Sequence, residues 1–164
     1  MSAAPIPRSR LAAAFCAVLA VCAGLIAGAP VTTNDLFWHV TTGAHLLDVG
    51  SFPTTDVLSY TAVDQPWFLH EWLTQVIFHG IHVLGGLPLL RIFTGLFAVA
   101  LHVQFYRFAR RQLSSPLAAT LCLVAFSILV LCRLQTRPTL FSIAFFLGLV
   151  SWFARAHGPW RFKD

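Results

Sequence analysis

Apolar residues run almost unbroken through four stretches of the chain, at residues 11–30, 87–108, 116–134 and 138–154. At about 1.5 Å of rise per residue, each approaches or exceeds the length that crosses a hydrocarbon core of roughly 30 Å, so each is predicted to be a transmembrane helix. Local signals support the boundaries. Pro88 suits the first turn of the second helix, Ser114-Ser115-Pro116 caps the third, and Arg137-Pro138 opens the fourth. The first run also has features of a signal sequence, with Arg8 and Arg10 ahead of it and Ala27-Gly28-Ala29 behind. It is longer than the roughly 7 to 15 residues of such an apolar core, and Pro30 sits where cleavage would fall, so an uncleaved helix is the better fit.

Residues 31–86 break this pattern. Thr32, Thr33 and Asn34 offer N-cap side chains, and residues 35–48 then follow helical spacing up to a stop at Gly50. On that helix Leu36, Phe37, Val40, Ala44 and Leu47 share one face, while Asp35, His39 and Thr42 share another. Residues 51–66 lack sustained periodicity and are punctuated by Pro53, Thr54-Thr55-Asp56 and Asp64-Gln65-Pro66, which predicts an extended loop. Residues 67–84 are apolar enough to pass for another span. Their polar residues Glu71, Gln75, His79 and His82 nevertheless fall in one narrow strip, as in a helix lying along a membrane surface with the strip toward water or protein. Gly85-Gly86 ends that helix. The expected fold is therefore an all-α membrane protein, with four transmembrane helices and one large loop carrying two interfacial amphipathic helices.

Composition agrees with a bilayer protein. The chain is 57% hydrophobic and 10% charged, against about a quarter charged in soluble domains. Its net charge of +5 comes from small basic groups at the ends of apolar runs, a pattern of topology signals that excludes a phosphate-tracking nucleic-acid surface. With both termini in the cytoplasm (residues 1–10 and 155–164), Arg8, Arg10, Arg107, Arg110, Arg111, Arg155, Arg161 and Lys163 lie inside. Only Arg91, Arg133 and Arg137 lie outside, as the positive-inside rule requires. A fifth span at residues 67–84 would put Arg107, Arg110 and Arg111 on the wrong side. The predicted location is a cell membrane, multi-pass. Cys16, Cys22, Cys122 and Cys132 sit inside apolar runs without metal-binding spacing and read as small hydrophobes.

The external loop concentrates the chemistry. It holds Asp35, Asp48, Asp56, Asp64 and Glu71, with His39, His45, His70, His79 and His82, and no Lys or Arg. Carboxylates beside imidazoles can hold a divalent cation or act as general bases. Asp35, at the mouth of the first span, is the leading candidate, and His39 one turn on can share its proton or metal. The plainer account is that Asp35 opens a helix and meets its dipole. An interfacial helix likewise needs a wet strip whether or not Glu71 binds anything. Arg91, Arg133 and Arg137 can pair bidentately with phosphate, or simply snorkel to the interface. His102, inside a span, can face a polar cavity or a haem, but no clearly paired histidine on a partner helix offers the second axial ligand.

The run NDLFWHVTTGAHLLDVGSFPTTDVLSYTAVDQPWFLHEWL, followed by GGLPLLRIFTGL and RLQTRPTLFSI, resembles the amino-terminal part of bacterial GT-C glycosyltransferases of the protein-mannosyltransferase kind. The resemblance covers residues 34–149. It implies sugar transfer from a polyprenyl-phosphate donor at the external membrane face, with Asp35 as the catalytic carboxylate and an external arginine meeting the donor phosphate. The chain departs from the family in having Asn34 where many members carry a second acid. It also has fewer spans than GT-C enzymes, which implies a fragment, a split gene product or a remnant completed by a second polypeptide. A rival account is a noncatalytic membrane subunit whose aromatic-rich loop docks a partner protein or a lipid head group. A transporter is disfavoured by the lack of an inverted repeat and of charges in span centres.

Overall fold

A computed structural model describes residues 8–29, 35–131 and 133–158, which form five α-helices and no strand. These are α1 (Arg8–Ala27), α2 (Asp35–Val49), α3 (Trp72–Gln112), α4 (Pro116–Leu131) and α5 (Thr139–His157). The predicted caps Thr32, Thr33 and Asn34, together with Pro30, Cys132, Arg161 and Lys163, lie outside the described residues.

The helix ends follow from local chemistry. α2 stops at Gly50, whose φ of 68° is left-handed and whose N–H reaches the Leu46 carbonyl at 3.0 Å. Ser115 Oγ accepts the Ala118 N–H at 3.3 Å, capping α4 behind its N1 proline. The two helices expected at residues 67–84 and 87–108 run on as one kinked helix, α3. Its break falls at Gly85 and Gly86, where Gly86 adopts φ 63°, ψ −159°, a conformation open essentially to glycine alone. The limb before the break begins at Trp72, five residues later than predicted. The preceding residues are held in the loop instead, because Trp67 N–H bonds to the Thr54 carbonyl at 2.9 Å and Thr55 bridges Pro66.

α3 packs against each of the other four helices. Its second limb, residues 87–112, runs antiparallel to α1, with Gly24 against Gly95 near one end and Ala20 and His102 lining one cavity further along. The two glycines let the backbones approach closely, the small-residue contact typical of helices packed in lipid. One buried cluster joins Ala23, Ala27, Ala98, Leu101, Leu134 and Leu140. A second joins Leu36, Phe78 and Leu90, bordered by Phe93 and Phe141, and so ties α2 to both limbs of α3 and to α5.

Large apolar side chains are exposed along the helices, among them Val18, Leu25, Leu96, Leu121, Leu129, Phe145 and Phe146. Meanwhile Thr94, Thr120, Ser127 and His102 are buried. The three hydroxyls turn back onto carbonyls one turn earlier, at 2.8 to 2.9 Å, and His102 Nδ1 donates to the Ala98 carbonyl at 2.8 Å. This inverted distribution is costly in water and suits a hydrocarbon surround.

Two helices, α3 and α5, are long and apolar enough to cross a membrane. The apolar parts of α1 and α4, Ala12–Ala27 and Pro116–Val130, are shorter. At 1.5 Å per residue they extend only about 22 to 24 Å.

Candidate functional site

Asp35 is the first residue of α2. Its Oδ2 lies 2.6 Å from Nη2 of Arg137, on the turn between α4 and α5. That turn is fixed from both sides. Leu134 and Leu140 are buried in the core, and Thr136 Oγ1 hydrogen-bonds Thr94 Oγ1 of α3 at 2.8 Å. Arg137 is thereby presented to the start of α2 by a contact between residues about a hundred positions apart.

One turn along α2, His39 is buried against the first limb of α3. The Gln75 amide donates from Nε2 toward His39 Nδ1 at 3.4 Å, and Glu71 Oε2 stands 3.7 Å from the same nitrogen. Burial pushes the imidazole below the ordinary histidine value of 6.5; Glu71 and Asp35 pull it upward, and Arg137 adds to the depression. A neutral His39 follows at physiological pH, which matches its role as acceptor from Gln75. Close docking here depends on Gly43, since a Cβ at that position would meet the Gln75 carbonyl and His79 Cβ.

The tertiary structure thus brings together Asp35, His39, Glu71 and Arg137, four of the residues singled out from the sequence, and adds Gln75. The strip Glu71, Gln75, His79 and His82 meets protein at Gln75 and His79, packing toward α2. Gln75 was visible only as a member of that strip; its place four residues after Glu71 was the available signal. Two buried atoms here, Gln75 Oε1 and His79 Nδ1, have no hydrogen-bond partner among the described residues.

The other two candidate arginines stand apart. Arg133 is exposed and makes no ion pair among the described residues. Arg91 lines an apolar groove of about 500 Å³ between α1 and α3, walled by Val21, Leu25 and Leu96. Among the described residues, no group of three or more His, Cys, Asp or Glu side chains is placed to hold a metal ion. The Asp35 carboxylate is turned to Arg137 instead.

Beside the cluster, the loop folds on itself. Asp56 accepts the N–H groups of Leu58 and Ser59 at 2.9 and 2.8 Å, while its own N–H reaches the Gln65 carbonyl at 2.8 Å. The Ser59 hydroxyl and these amides hold the Asp56 carboxyl below its usual range. Trp38 meets Trp67 edge-on at 5.5 Å, and Phe52, Trp67, Phe68 and His70 line a cleft of about 470 Å³. His70 Nε2 approaches Glu71 Oε1 at 3.8 Å, so this aromatic cleft abuts the polar cluster.

The class defined by this architecture is an all-helical protein with two helices long and apolar enough to cross a membrane, carrying a carboxylate, imidazole and guanidinium cluster at the junction of α2, α3 and the α4–α5 turn. No family model, no curated protein and no solved structure matches the chain.

Proposed function

We propose that this is a multi-pass membrane protein that transfers a sugar from a polyprenyl-phosphate donor at the external membrane face. In this reading α1, the second limb of α3, α4 and α5 cross the bilayer. α2, the loop and the first limb of α3 lie outside. The observation that carries the proposal is the convergence of Asp35, His39, Glu71 and Arg137 from three separate parts of the chain. Asp35 would take the proton of an acceptor hydroxyl, with the neutral imidazole of His39 one turn along α2 and the Glu71 carboxylate 3.7 Å from that imidazole. Arg137, released from Asp35, would meet a donor phosphate bidentately. The groove headed by Arg91, apolar along its walls and cationic at one end, has the chemistry of a lipid chain bearing a phosphate. The aromatic cleft offers faces on which a sugar ring can stack.

A second reading is favoured by the closed Asp35–Arg137 pair, in which each charge already satisfies the other. Here the pair is a latch, and the aromatic loop is a docking surface of a noncatalytic subunit.

The two are separated by assaying membranes that carry the full chain with polyprenyl-phosphate sugars. Asp35→Asn should lower turnover roughly 10²- to 10⁴-fold, the usual cost of losing a general base. Asp64→Asn, at the exposed loop tip, should leave it unchanged. Asp35 is itself exposed, and an exposed ion pair contributes only about 0 to 1 kcal/mol, so insertion and folding should survive. A fully active Asp35→Asn protein, or an unsubstituted protein that transfers from no such donor, would overturn the enzymatic reading and favour the latch.

A further inference from the structure

Far from the cluster, at the other end of the second limb of α3, lies a cavity of about 590 Å³ between that limb and α5. Its volume falls within the roughly 300 to 1,000 Å³ of ligand pockets. Arg107 and Arg111 of α3 and Arg155 of α5 line it, with Gln104 and Ser151. Ser151 is buried, and its Oγ has no hydrogen-bond partner among the described residues. Among the described residues no carboxylate lines the cavity, and none of the three arginines forms an ion pair. Arg107, Arg111 and Arg155 are exposed at its mouth, and three guanidinium groups lining one space favour an anion there. Val103, Phe108 and Ala154 supply apolar wall beside the charges.

We propose that this cavity binds the phosphate of an anionic phospholipid headgroup, held by Arg107, Arg111 and Arg155 and hydrogen-bonded by Ser151. Basic pockets between transmembrane helices take such headgroups, and arginine matches phosphate oxygens in a fork that lysine cannot reproduce. The basic end of the molecule is the one that the positive-inside rule assigns to the cytoplasm, where anionic lipid gathers. A free phosphate ion presents the same chemistry, so the test must tell the two sources apart.

Full-length protein in detergent is melted against added phosphatidylglycerol, phosphatidylcholine or inorganic phosphate. Phosphatidylglycerol should raise the melting temperature saturably, and phosphatidylcholine should not. Arg155→Gln and Arg107→Lys should each weaken the phosphatidylglycerol midpoint about tenfold or more, as expected for the loss of a charge-assisted hydrogen bond. Arg10→Gln removes an exposed charge outside the cavity and should leave the midpoint unchanged. Helicity and elution volume of each variant check that it is folded. Equal protection by inorganic phosphate at the same concentration would replace the lipid with a soluble anion. The site itself would be overturned if neither anion protected, or if Arg10→Gln weakened the response as much as Arg155→Gln.

Discussion

His39 shows how one side chain links the candidate site to stability. Its folded-state pKa lies below the ordinary 6.5, so the unfolded chain takes up a proton first as pH falls. The stabilising contribution of neutral His39 is complete above the ordinary histidine value, and it is lost as pH drops from there through the lowered folded value. Thermal melts of the wild-type protein should therefore show stability falling as the pH drops below the ordinary histidine value of 6.5. His39→Gln should flatten that part of the profile. Identical slopes in the two proteins would remove His39 as the titrating group. Asp56, held below 3.8 by Ser59 and Leu58, contributes only at more acid pH and does not confuse the measurement. At this scale the sequence named the members of the cluster but only some of its pairings. Asp35 and His39 stand one helical turn apart and are legible as neighbours, as are Glu71 and Gln75. That Arg137 meets Asp35 is not legible, since no local rule links positions so distant in sequence.

Among the elements, α2 and the first limb of α3 dock through Gly43, and the contact makes a paired test. A methyl at residue 43 would press on the Gln75 backbone carbonyl, which cannot rotate away, whereas a methyl at Gly80, also on the first limb, meets nothing. Alanine improves helix propensity by about 1 kcal/mol at either place, but overpacking against backbone costs about 1 to 3 kcal/mol. Gly80→Ala should thus raise the melting temperature slightly and Gly43→Ala should lower it, by differential scanning fluorimetry in one detergent. The same direction for both would show that α2 is not seated on Gln75. The Gly85-Gly86 stop and Pro88 start were legible from turn chemistry, because a left-handed backbone and a missing N–H act locally. The start of this helix at Trp72 was not. Apolar periodicity extends back to Trp67, and only hydrogen bonds to Thr54 and the bridge to Pro66 withdraw those residues from the helix.

The whole molecule is charge-polarised. The described carboxylates lie in α2, the loop and the residue preceding α3, while Arg107, Arg110, Arg111 and Arg155 lie toward the opposite ends of α3 and α5. If that polarity is read by the membrane, cysteines placed singly at Asp56 and Ser115 in a cysteine-free protein should differ on intact cells. An impermeant thiol reagent should label position 56 alone. Equal labelling, or labelling only at 115, would reverse or break the proposed topology. By itself the sequence determined the all-helical character, the apolar runs, the helix breaks at glycine and proline, and the separation of acidic from basic segments. Each of these is a local property of composition, periodicity or backbone freedom. Only the tertiary structure decided that Arg137 closes on Asp35, that Gln75 reaches His39, and that three arginines share a cavity with a buried serine. Such contacts depend on how helices cross and which residues are small enough to let them, and that information is spread over the whole chain.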